Sequence, residues 1–310
     1  MTSRFRKLCL VLCLTFLAAL SSSAFAADET FTRTQDVIYA RKFGTALTLD
    51  VIAPRENANG AAIIWVISGG WFSNHDNINP GNVAEYLKRG YTVFAVVHGS
   101  QPKFTIPEIL EDMHRSVRFI RSKAEQYKID PDRIGITGGS AGGHLSLMQG
   151  TAGTEGKPDA KDPIDRLSSR VQAVACFFPP TDFLNYGKPG ENAMGVGILK
   201  DYRAPFDFKE YDGTIRAFVP ITDEKRRLDI GKAISPLYHV SSDDAPALII
   251  HGDADFLVPI QQAEIIIARL KEVKVPCELV VKPGAAHGWA GMDKDMLTLA
   301  DWFDKHLAKK

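Results

Sequence analysis

Cysteine is scarce in this chain: four residues in 310, at positions 9, 13, 176 and 277. Cys176 lies late in the apolar run 171–178, and Cys277 opens the run 277–281. Opposite ends of different strand-like segments are a poor arrangement for a bridge. Two buried thiols are expected, and a disulfide framework is excluded as the organising device. An excess of one charge is also missing, with 37 Lys and Arg against 37 Asp and Glu. Beyond the first few residues no basic block is left, which argues against nucleic acid or an anionic membrane surface as a partner. No pair of histidines has metal-ligand spacing with acids or cysteines, so neither a catalytic metal nor a cofactor is implied. Repeats and low-complexity tracts are absent.

The one long apolar run is N-terminal. Arg4, Arg6 and Lys7 precede the stretch 8–20, and Ala24-Phe25-Ala26 ends it. A basic start, a short apolar centre and an Ala-x-Ala exit describe a secretory signal peptide, residues 1–26. The run is too short for a comfortable membrane span. A soluble, secreted or periplasmic protein with a slight acidic excess is expected after cleavage, with no membrane contact. Cys9 and Cys13 leave with the leader.

From residue 27 onward the pattern is that of a single α/β domain. Strand-like runs at 37–39, 47–52, 62–68 and 91–97 precede a helical stretch at 106–127. Its apolar positions Ile109, Leu110, Met113, Val117 and Ile120 recur at helix period. Further strands near Ala173, Leu248 and Leu279 and helices over 260–270 and 292–306 complete the series. Apolar runs alternating with helical patterns indicate a mostly parallel sheet covered on both faces.

Three segments carry chemistry. The first is Gly138-Gly139-Ser140-Ala141-Gly142, which joins the apolar run 133–137 to an apolar helix start. Strand, tight turn, serine and helix are what a G-x-S-x-G elbow needs, because the turn lifts the hydroxyl above the sheet edge. The second, His251-Gly252-Asp253-Ala254-Asp255-Phe256-Leu257-Val258-Pro259, follows the run 247–250. The third, Gly284-Ala285-Ala286-His287-Gly288-Trp289, follows the run 278–281. A serine, then an acid at 253 or 255, then a histidine, all at strand ends, give the order of a hydrolase triad.

With these motifs the chain resembles an α/β-hydrolase of the secreted esterase/lipase type, in the bifunctional acetylxylan/feruloyl esterase-like, hormone-sensitive-lipase-related group. The resemblance runs from about Asp36 to the C-terminus. It implies Ser140 as nucleophile, His287 as general base and Asp255 as the orienting acid. Asp255 is preferred to Asp253 because the family places two residues between the acid and a Val-Pro pair, here Phe256 and Leu257 before Val258-Pro259. Asp253 then reads as a turn residue. Asp182, at another strand end, reads as a cap or turn residue. The family pattern His-Gly-Gly-Gly-Trp maps onto Ile67-Ser68-Gly69-Gly70-Trp71, so a bracing histidine and the first glycine are replaced. The implied oxyanion donors are the amides of Gly69, Gly70 and Ala141. Of the other histidines, His98 either lines the site, braces that loop or, as is more common, serves structure alone. The aromatics Trp71 and Trp289 are candidate substrate-binding residues.

The irregular stretch 179–240 is expected to be an insertion that acts as a partial lid. The expected function is ester hydrolysis, with short acyl (acetyl) or feruloyl esters of plant polysaccharide as substrates. A general carboxylesterase or lipase, or a prolyl-oligopeptidase-like peptidase, is the alternative within enzymes. A non-catalytic hydrolase-fold binding protein is the alternative outside them.

Overall fold

The computed structural model describes residues 30–309, so the signal-peptide expectation for 1–26, with Cys9 and Cys13, lies outside the described residues. In chain order the elements are β1 (Phe31–Lys42), β2 (Thr45–Pro54), β3 (Ala62–Ile67), α1 (Ala84–Lys88), β4 (Thr92–Val97), α2 (Ile106–Ser122) and α3 (Ala124–Tyr127). There follow β5 (Ile134–Gly139), α4 (Ala141–Thr151), β6 (Ala173–Phe177), β7 (Lys209–Asp212), β8 (Ala217–Pro220) and α5 (Glu224–Ala233). The chain then adds β9 (Ala247–Gly252), α6 (Gln261–Glu272), β10 (Cys277–Lys282) and α7 (Met292–His306).

Eight strands form one sheet in the order β1-β2-β4-β3-β5-β6-β9-β10. β1 pairs with β2, and β2 with β4, in antiparallel fashion; every other pairing is parallel. This is the mostly parallel sheet of the α/β-hydrolase fold. The alternation within each strand explains its two-sided cover. In β3, Ala62, Ile64 and Val66 face the core shared with α2, α4 and α6, whereas Ile63 and Ile67 face the core of α1 and α7.

Helix α2 begins at a capping box, in which the Thr105 amide donates to the Glu108 carboxylate at 2.8 Å. It buries Ile109, Met113, Val117 and Ile120 against the sheet, each contributing about 1.5–3 kcal/mol of burial. The helical stretch expected over 106–127 is broken at Lys123 into α2 and α3. Parallel strands put all their carboxyl ends on one edge. The elbow serine and the acid and histidine loops follow β5, β9 and β10 directly, so the topology brings three distant segments to that edge.

Residues 179–240 hold the β7–β8 hairpin, α5 and several single turns of 3-10 helix. Cys176 and Cys277 are free thiols; Cys176 is buried as expected, whereas Cys277, at the start of the edge strand β10, is only half-buried. Among the described residues no helix is long and apolar enough to cross a membrane.

Candidate active site

The elbow is built by a close approach that only glycine permits. A β-carbon on Gly138 would lie 2.6 Å from the backbone of Gly142. Ser140 stands at the apex with φ 55° and ψ −121°, a costly conformation for a residue with a side chain. Its amide donates to the Phe177 carbonyl (3.0 Å), and its own carbonyl accepts from the His144 amide (2.9 Å), so the surroundings hold the strain.

Ser140, His287 and Asp255 form one hydrogen-bonded chain. Ser140 Oγ is 3.0 Å from His287 Nε2, and His287 Nδ1 is 2.7 Å from Asp255 Oδ2. The carboxylate fixes the ring proton on Nδ1, which leaves Nε2 to accept the serine hydroxyl. Asp255 is buried, and its Oδ1 accepts the amides of Leu257 and Val258, each at 2.9 Å. Burial alone would raise this carboxyl. The side-chain bonds from His251 and His287 and the Val258 amide outweigh it and hold the group well below the usual carboxylate range. Asp253 is exposed and accepts the Gly284 amide at 2.6 Å, so it shapes the turn beside His287. Asp182 likewise accepts from the Leu184 amide and from Asn185 within its own turn.

Two side chains at this centre went unassigned to it by sequence reasoning. His251, fully buried, donates from Nε2 to the Val258 carbonyl at 2.8 Å and lies 3.4 Å from Asp255 Oδ2, beneath the acid. Phe178 has φ 34°, and its ring centroid is 4.4 Å from that of His287. A positive φ at a phenylalanine leaves no mark in sequence.

The loop after β3 differs from expectation at two positions. Gly69 and Phe72 exchange both backbone hydrogen bonds, at 3.0 and 2.9 Å, around Gly70 and Trp71, which both have positive φ. Consecutive positive φ values at the two central positions mark a type I′ turn. The Gly69 amide is therefore spent on Phe72 and is not free for an oxyanion. The amides of Gly70 and of Ala141, the first residue of α4, have no partner within the described residues.

Trp71 is the second correction. Its indole is 2 % exposed, donates from Nε1 to His144 Nδ1 at 3.2 Å and packs on Phe183 and Phe206. It anchors the loop to the elbow helix and offers no face to a substrate. Trp289 is half-buried, packs on Phe177 and Phe178, and donates to Asp295 at 2.6 Å. Phe72 and Phe256 are the exposed aromatics of the two loops, at 46 % and 80 %.

His98 and His144 are buried and neutral, both lowered to about 4 by loss of solvation. An unfolded chain would titrate them near 6.5. Their stabilising effect is complete above that pH and is lost as pH falls towards 4, costing about 2 kcal/mol each by pH 5. Asp112, raised to about 6 by burial against the pull of Lys42, takes up its proton in the same window and offsets part of this. His114, also lowered to about 4 by burial, adds a similar loss, and calorimetry should give a Tm about 8 °C lower at pH 5 than at pH 7.5. An equal or higher value at pH 5 would contradict the neutral assignment.

Comparison with known proteins gives the family and the fold. The BD-FAE family model matches residues 49–270, more than half of the chain. The chain is 28% identical over 259 residues to "Probable carboxylic ester hydrolase LipM" of Mycobacterium tuberculosis, covering 82% of this chain and 56% of that protein. It is 26% identical over 261 residues to an ethyl acetate hydrolase of Pseudomonas putida, covering 80% of this chain and 74% of the relative. The chain spans about half the length of several of the curated relatives it matches. A solved structure titled as a truncated form of a carbohydrate esterase from gut microbiota superposes with a TM-score of 0.72 at 28% identity, covering 91% of this chain and 99% of that one. The chain belongs to the BD-FAE family and has the α/β-hydrolase fold.

Proposed function

We propose that this protein is a serine esterase that hydrolyses carboxylic esters through an acyl-enzyme on Ser140. The observation that carries this is the unbroken hydrogen-bonded chain from Ser140 through His287 to a deeply ionised Asp255. Ser140 Oγ attacks the ester carbonyl carbon while its proton passes to His287 Nε2. The imidazolium so formed is stabilised by Asp255. The carbonyl oxygen, now negative, is received by the amides of Gly70 and Ala141, the latter at a helix N-terminus. Collapse breaks the bond to the alcohol, which leaves with the proton held by His287. Water then repeats the sequence on the acyl-enzyme and frees the acid and Ser140.

The substrate class we propose is a short acyl, chiefly acetyl, or a feruloyl ester of plant polysaccharide. The likeness to a carbohydrate esterase from gut microbiota and the exposed rings of Phe72 and Phe256 support it. Segment 179–240 is proposed as a partial lid, because Tyr202 packs its ring against the open face of Gly70. Export is proposed on the pattern of residues 1–26 alone.

Rates with 4-nitrophenyl acetate, butyrate and octanoate, methyl ferulate and acetylated xylan test this reading. Acetate and acetylated xylan should be turned over best, with at least a tenfold fall by octanoate. A preference for octanoate would move the protein to the lipases. No turnover of any of them by folded protein would overturn the esterase assignment.

A further inference from the structure

The loop that presents the Gly70 amide is clamped on almost every side. Ile67, at the position where the resembled family has a histidine, has no side-chain polar group to offer the loop, and its carbonyl accepts from Ser73 Oγ at 2.5 Å. Ser73 Oγ in turn accepts the His98 amide at 3.2 Å, and the Ser73 amide donates to Ser100 Oγ at 3.0 Å. The loop after β3 is thus tied to the loop after β4 by hydroxyl groups.

The next tie involves a side chain of the loop itself. His98 is 2 % exposed, and its two ring nitrogens face different partners: Nδ1 meets the Gly99 carbonyl at 2.9 Å, and Nε2 meets Ser68 Oγ at 2.8 Å. A carbonyl can only accept, so the ring proton sits on Nδ1 and Nε2 is a lone-pair acceptor. The Ser68 hydroxyl must therefore donate to His98, and its rotamer is fixed. The charged neighbours of this pair are Asp112, which accepts the Gly99 amide at 2.9 Å, and Lys42, which pairs with Asp112 at 2.6 Å. Neither touches the Ser68 bond. Ser68 also lies against the elbow, since a β-carbon on Gly142 would meet the Ser68 carbonyl oxygen at 3.4 Å.

We infer that Ser68 and His98 are a positioning pair, which holds the backbone leading into Gly70 so that its amide stays aimed at the developing oxyanion. The pair touches no reacting atom. Oxyanion stabilisation depends on donors being in place before charge develops, because reorienting them during the reaction costs the energy they would supply. With Ser68 held from one side, the Gly69 amide spent on Phe72 and the Trp71 indole on His144, the Gly70 amide has little room to turn. The neutral state of His98, lowered to about 4, keeps Nε2 available as an acceptor at ordinary pH.

The inference rests on the serine-esterase reading, so the test carries its own control. Wild type, Ser140→Ala, Ser68→Ala and Ser68→Thr are compared with 4-nitrophenyl acetate and with a trifluoromethyl ketone, which adds Ser140 to form a stable oxyanion. Ser68→Ala should lower kcat about 10- to 100-fold with KM within about twofold. Its Ki for the ketone should rise by the factor that kcat/KM loses, as for any interaction made only in the transition state. Tm should fall by no more than about 5 °C, the cost of leaving His98 Nε2 without its donor, and Ser68→Thr, which keeps the hydroxyl, should recover most of the rate. A Ser68→Ala enzyme with wild-type kcat and ketone affinity overturns the pair's role. So does a loss confined to KM or Tm with ketone affinity unchanged. A wild type no faster than Ser140→Ala overturns the esterase reading and the positioning role with it.

Discussion

Ser140→Ala should lower kcat for 4-nitrophenyl acetate by about 10⁴- to 10⁶-fold while leaving the fold intact. Alanine removes the attacking oxygen and nothing else of size. It keeps the β-carbon, and therefore also the strain of φ 55° at the elbow. Glycine at the same position would be equally inactive yet would release that strain, worth about 1–3 kcal/mol, less about 0.5–1 kcal/mol for the greater freedom of its unfolded chain. Ser140→Gly should therefore melt above Ser140→Ala by calorimetry. Both readouts follow from one geometric fact. A Ser140→Ala protein that retains a tenth of wild-type kcat would place the nucleophile elsewhere. A Ser140→Gly protein that melts below Ser140→Ala would show that the elbow stores no strain.

The order Ser140, Asp255, His287 was legible because each residue sits where a parallel strand ends, and runs of four or five residues, 133–137, 247–250 and 278–281, announce those strands. The choice of Asp255 over Asp253 came from the spacing to Val258-Pro259, and the structure supplies a physical reason. Amides two and three residues past Asp255 fold back onto its carboxylate. The oxyanion loop was half legible. Two glycines after β3 announced a turn, but nothing announced that Trp71 would adopt φ 60° and carry its ring inward to His144. Aromatics beside glycines read as exposed platforms, and only the backbone handedness says otherwise. His98 was among the candidates for bracing this loop, though spacing could not show that its acceptor nitrogen would reach Ser68. The β7–β8 hairpin carries exposed Tyr211 and Phe218 with Gly213 in its turn, a pattern too short and too little buried for periodicity to register.

Asp255→Asn should lower kcat about 10⁴-fold, and in this site the cause can be followed atom by atom. Oδ1 of Asp255 accepts two backbone amides, from Leu257 and Val258, and both can only donate. An asparagine must turn its own oxygen towards them, because its NH₂ there would set donor against donor. Its NH₂ then occupies the place of Oδ2 and points at His287 Nδ1, 2.7 Å away in the native pair. Nδ1 is obliged to accept, so the ring proton moves to Nε2, which faces Ser140 Oγ. A protonated Nε2 cannot take the serine proton, and the base is lost although every heavy atom is in place. The same NH₂ would also face the Nε2–H of His251, 3.4 Å from Oδ2, a donor-against-donor contact that weakens the packing and offers His287 no acceptor. Asp253→Asn makes the contrast, since Asn keeps an oxygen for the Gly284 amide, and its kcat should stay within about threefold. Comparable losses in the two variants would mean that Asp255 does not set the histidine tautomer.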